Sequence, residues 1–198
     1  MELIKQGLYS IGMEDSEKAK NARDFAQEKH KNQKRGDGAT SHFDHLEGVV
    51  YRLKSIGITD SNVICAAWLH DILEKTDVTL DEIIQRFGKE VAVLVLSLTK
   101  SKDIPKKDIE SQYIKQLSES SIEAKIIKLC DISSNIKDIS NSTLSKTQKN
   151  KKIRKILHYL KVIRKDIAGK KSEHPKIQEI IDGINSVLTK IKQPTITI

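Results

Sequence analysis

Apolar residues recur every three or four positions along most of the chain, the period of an α-helix with one buried face. Ala19, Ala22, Phe25, Ala26 and His30 follow it behind a cap at Asp15 or Ser16, and the turn-forming stretch 36–43 ends that helix. A second helix is predicted from about Asp44, with Val49, Val50 and Leu53 inward, to near Gly57. Asp60 or Ser61 caps the next, residues 62–73, which is apolar on all sides and so belongs at the centre. Thr79 followed by Glu82 forms a capping box, opening a helix that Gly88 closes. Residues 89–100 are β-branched enough for a strand, but their place between helical patterns predicts a buried helix. Beyond a polar break at 101–106, helices are predicted at about 107–119 and 122–139, followed by a break at 140–145. Ile153, Ile156, Leu157, Leu160, Ile163 and Ile167 mark one face of a long basic helix. Pro175 stands near the start of a last helix carrying Ile177, Ile180, Ile181, Ile184 and Val187, and the short tail after it is expected to fray. The fold class is all-α.

Composition narrows the setting. With 198 residues, 37% of them hydrophobic, the chain suffices for one domain with a real core, 1–198. No apolar run approaches the roughly 18 residues of a membrane span, so no membrane partner is expected. The N-terminal stretch lacks a signal-peptide core, and Cys65 and Cys130 form no disulfide framework. These features point to a cytoplasmic protein. The net charge of +8 invites a nucleic-acid partner, but basic residues are spread widely and aromatics make up 4%. Nucleic acid is therefore not favoured over a solvated lysine surface or a pocket for a polyphosphate.

Three segments concentrate metal-compatible side chains: His42 to His45, the pair His70–Asp71 within an apolar helix, and Asp131, also flanked by apolar residues. A charge in such a setting is costly unless paired or bound to a metal. His70 and Asp71, about 100° apart on a regular helix, would straddle an ion rather than share a face. His45, His70, Asp71 and Asp131 make a mixed nitrogen and oxygen set suited to a divalent transition metal. Standing alone, the His–Asp pair would equally serve as a satisfied core histidine beside a local hydrogen-bond acceptor.

The segments 22–38, 45–50, 66–76, 79–100 and 125–139 resemble, in order, the HD metal-dependent phosphohydrolases. More narrowly, they resemble the guanosine-polyphosphate pyrophosphohydrolase domain of RelA/SpoT and Mesh1-like enzymes. The resemblance implies an HD-domain helical bundle with a core at about 20–140 and a helical extension at 141–198. It implies His45, His70, Asp71 and Asp131 as metal ligands, with Mn²⁺ the family's usual ion, and a small phosphorylated nucleotide as substrate. His42 competes with His45, because the segment before them departs from the family's proline–tyrosine sequence; His45 is preferred because residues 45–50 fit the helix that follows. Glu74 falls in the family's acidic pair that positions or activates the hydrolytic water. Lys75 replaces the second acid of that pair, and its role is open: it could meet phosphates, point outward, or weaken the chemistry. Arg35 and Lys34 match the substrate-facing basic stretch, Asn135 the residue that shapes the nucleotide site, and Thr99 and Lys100 the pocket rim. His30 matches a position that serves as structural hydrogen-bonder or site wall. The implied reaction is metal-assisted removal of a 3′-pyrophosphate from ppGpp. Hydrolysis of another nucleotide or phosphate ester is the first alternative, and a weakened domain that binds nucleotide or nucleic acid is the second.

Overall fold

A computed structural model describes residues 17–36, 38 and 40–198, so the expected caps at Asp15 and Ser16 lie outside the described residues. The first helix, α1, covers 17–29. It is followed by α2 (His42–Ser55), α3 (Ser61–Leu69), the single turn α4 (Ile72–Lys75), α5 (Leu80–Phe87) and α6 (Lys89–Leu98). The chain continues through α7 (Ile109–Glu119), α8 (Ile122–Asn141), α9 (Lys146–Gly169) and α10 (Ile177–Lys190). Among the described residues the one extended pairing is an isolated bridge between Lys34 and Ser41. The fold is an all-α bundle, and no described helix is long and apolar enough to cross a membrane.

The centre of the bundle is α8, which packs on α2, α3, α6, α9 and α10. Its Ile127, Leu129, Cys130 and Ile136 are fully buried, as is nearly all of α3 from Val63 to Leu69. Burial of each such side chain contributes about 1.5–3 kcal/mol. Residues 89–98 form the helix that their context predicts, but with one face buried rather than all: Val91, Ala92, Val95 and Leu98 face the core, while Val93 and Leu96 are exposed. Cys130 packs as an apolar group, its thiol pushed up to about 12 by burial.

Four further local expectations are corrected. The second helix begins at His42 rather than Asp44, because the Ser41 hydroxyl caps it by accepting from the Phe43 N–H at 3.2 Å. That start puts His42 and His45 one turn apart on the same face. The expected continuous helix 62–73 is interrupted at His70 and Asp71: the Ala67 carbonyl, which a regular helix would pair with the Asp71 N–H, receives His70 Nδ1 at 2.8 Å, and Asp71 takes φ −100°, ψ −4°. Thr79 caps α5, but the Glu82 carboxylate turns to Arg86 at 3.0 Å instead of completing a capping box. The C-terminal tail is docked, not frayed: the Asn185 side chain exchanges hydrogen bonds of 2.8 and 2.9 Å with the Ile196 backbone.

Candidate metal centre and adjoining cleft

His45 from α2, His70 from the end of α3 and Asp131 from the middle of α8 converge, with one ligand atom of each within 4.8 Å of the others. Nε2 of His45 stands 3.2 Å from Asp131 Oδ1, and Nε2 of His70 stands 3.7 Å from it. Both ring nitrogens are buried and neither makes an aligned hydrogen bond. The opposite face of each ring is anchored, His70 Nδ1 on the Ala67 carbonyl and His45 Nδ1 on the Ser134 hydroxyl at 3.1 Å. A carbonyl can only accept, so Nδ1 of His70 carries hydrogen and Nε2 is the ring atom turned toward the centre. Asp131 is held from two sides, by Lys128 Nζ at 2.9 Å and by the Asn135 amide. Burial opposes its charge, but Lys128, His45 and His70 hold the carboxyl well below the usual range. Burial pulls His45 down to about 4, leaving it neutral at pH 7. Burial also works against a charge on His70, but Asp71 and Asp131 outweigh it and raise that histidine. Two anchored imidazoles and an ionised carboxylate, with buried Nε2 atoms left without hydrogen-bond partners, fit a divalent ion.

Asp71 stands at the edge of this group. Its Oδ2 lies 3.7 Å from His70 Nε2, but 3.0 Å from His42 Nε2 and 2.9 Å from Lys75 Nζ. Burial opposes its charge too, yet His70, His42 and Lys75 keep the carboxyl well below its usual value. Lys75 therefore turns into the site rather than away from it. Glu74 accepts the Lys100 backbone N–H at 2.7 Å, which ties α4 to the loop after α6. His30 is both hydrogen-bonder and wall: its Nδ1 meets Gln33 Oε1 at 2.8 Å, and its ring lies 4.6 Å from that of His42. Gln33 in turn donates to the Lys75 carbonyl at 2.8 Å, so the two loops beside the centre are braced together.

The expected substrate residues adjoin the centre. Arg35 donates to Asn135 Oδ1 and, at 2.9 Å, to Asp138 Oδ2, so Arg35, Asn135 and Asp131 form one connected chain. Lys34 is exposed, and its backbone forms the bridge to Ser41. Arg35 and Asn135 line a cleft of about 200 Å³ whose other wall, from α9, carries Lys152, Lys155 and Tyr159. The sequence pattern singles out none of these three residues. Behind Tyr159, the Lys100 and Lys128 ammonium groups lie 5.2 and 5.0 Å from its ring centroid, and Glu110 accepts from Lys155 at 2.5 Å. Burial and the neighbouring Lys155 lower Lys100 to about 8, as expected where cations are crowded. Thr99 bonds the Val95 carbonyl and serves the helix end. His158 is exposed on the outer part of α9, and His174 lies beyond that helix.

The HD domain family model matches residues 22–164. The guanosine-3′,5′-bis(diphosphate) 3′-pyrophosphohydrolase MESH1 of Mus musculus is 42% identical over 124 residues, which are 62% of this chain and 69% of that protein. The guanosine-3′,5′-bis(diphosphate) 3′-pyrophosphohydrolase of Aquifex aeolicus is 35% identical over 140 residues, 71% of this chain and 20% of that longer protein. The solved structure of a metazoan ortholog of SpoT that hydrolyzes ppGpp superposes with a TM-score of 0.75 at 25% identity, covering 87% of this chain and 94% of that one. The chain belongs to the HD-domain phosphohydrolases, among relatives of the MESH1 and SpoT type.

Proposed function

We propose that this protein is a cytoplasmic, Mn²⁺-dependent hydrolase that removes the 3′-pyrophosphate of ppGpp to leave GDP. The observation that carries the reading is the buried His45–His70–Asp131 group, with its unpaired Nε2 atoms, opening beside a cleft lined by Arg35, Lys152 and Lys155. His45, His70 and Asp131 would hold the ion, with Asp71 as the fourth ligand. A bound divalent ion supplies Lewis acidity, which lowers the pKa of water and polarises a phosphoryl oxygen. Glu74 takes the proton of the attacking water, and its bond to the Lys100 N–H fixes its orientation. The cations of the cleft offset the substrate's phosphates, Arg35 by its planar fork and the lysines as point charges. Asn135 links this charge cradle to Asp131 and so sets the phosphate cradle relative to the metal centre. Because α9 supplies Lys152, Lys155 and Tyr159, that helix belongs to the same working unit as the core.

The Lys75 ammonium 2.9 Å from Asp71 favours a second reading, an HD domain that binds a nucleotide and turns it over weakly or not at all. The test is a panel of ppGpp, other nucleotides and simple phosphate esters, incubated with protein and Mn²⁺ and resolved by chromatography. Conversion of ppGpp to GDP and pyrophosphate is expected. Turnover confined to another phosphate compound would reassign the substrate, and tight nucleotide binding without turnover would establish the second reading.

A further inference from the structure

Two residues from separate parts of the chain, His42 in the first turn of α2 and Lys75 at the end of α4, meet on one oxygen. Both reach Asp71 Oδ2, at 3.0 and 2.9 Å. Lys75 makes an ion pair there, whereas His42 Nε2 approaches without an aligned hydrogen bond. His42 is fixed by its place in the first turn of α2 and by its ring packing against His30. The Lys75 backbone is pinned by the Gln33 amide, while its side chain remains 37% exposed and free to leave. Asp131 and Asp71 each carry an ammonium at 2.9 Å, Lys128 and Lys75, but the Lys128 side chain is 13% exposed against 37% for Lys75, and Asp131 Oδ1 also faces His45 at 3.2 Å.

We propose that Lys75 is an internal competitor for the divalent ion: it holds Asp71 in the metal-free protein and must release that carboxylate before Asp71 can join His45, His70 and Asp131. This inference rests on the metal centre proposed above. A double charge outcompetes a single one at the same carboxylate, and the half-exposed lysine loses little by moving into water. Metal therefore binds, but more weakly than the donor set alone would allow. Lys75 acts here through Asp71, as a positioning residue.

The test measures Mn²⁺ affinity by titration calorimetry on the full chain, independently of catalysis, with circular dichroism to confirm folding. K75M is expected to bind Mn²⁺ roughly two- to fivefold more tightly than the wild type, the range for a partly exposed ion pair. K75R, which retains the charge, is expected to stay within about twofold of the wild type on the same grounds. K102Q removes an equal charge from the nearby Lys102, which bonds the Leu73 carbonyl, and controls for the general field. A gain in K75M that neither K75R nor K102Q shows supports the proposal. Equal affinity in K75M and wild type, or an equal gain in K102Q, overturns it and leaves the metal centre intact. Absence of Mn²⁺ binding in both wild type and K75M overturns the metal centre itself, and this inference with it.

Discussion

Where α2, α3 and α8 meet, His45, His70 and Asp131 are buried, each is held by an outer partner, and their unpaired nitrogens point at one another's neighbourhood. Where α8 and α9 meet, the polar groups are instead Arg35, Lys152, Lys155 and Tyr159, around a cleft that opens to solvent. The first region fixes donor atoms rigidly, as metal chemistry demands. The second gathers positive charge with little geometric constraint, as recognition of a multiply charged phosphate demands. Asn135 joins them, bonded to Asp131 on one side and Arg35 on the other. The contrast teaches that chemistry and charge recognition are separable here, and variants in the two regions should fail in different ways.

The largest effect is expected from D131N. It removes a ligand and leaves the Lys128 ammonium without its partner, so Mn²⁺ affinity should drop by more than about 100-fold, beyond the range for outer partners. Calorimetry checks this, and near-normal Mn²⁺ affinity in a folded D131N would break the assignment. S134A deletes the hydroxyl that anchors His45 Nδ1 and should weaken Mn²⁺ binding about 10-fold while leaving the fold intact. K155M, in the second region, should leave Mn²⁺ affinity alone and raise KM for ppGpp about 10-fold, the scale of one hydrogen bond to a charged group. A fall in kcat with KM unchanged would erase the distinction between the regions.

The smallest effect concerns pH. Burial holds His30 near 4 in the folded chain, whereas an unfolded histidine titrates near 6.5. Between those values the unfolded state binds more protons, so stability falls as pH drops. From pH 7 to pH 5 the contribution of His30 is on the order of 1–2 kcal/mol. Urea unfolding at both values should show that loss in the wild type and a smaller one in H30N. An equal loss in both would show that His30 does not titrate as its burial requires.

The metal region was largely legible in the sequence because its residues break rules locally. An acid at Asp131 among isoleucines, or His70–Asp71 inside an apolar helix, stands out against its neighbours. The interruption at 70–71 was not legible, since every residue there accepts helical geometry and the cause is a side chain bonding the Ala67 carbonyl. The cleft was still less so. Lys155 and Tyr159 look like ordinary surface positions of a basic helix until α9 packs on α8 and brings them opposite Arg35. Lys75 was visible as a departure from the family pattern, but its direction, toward Asp71, depended on the turn that interrupts the helix.

The most direct measurement is the rate of GDP formation from ppGpp by purified protein stripped of metal and then titrated with Mn²⁺, with D71N in parallel. The account predicts no turnover in the stripped protein, saturable recovery as Mn²⁺ is added, and little or none in D71N. Turnover that survives complete removal of metal, or none at any Mn²⁺ concentration, would contradict it.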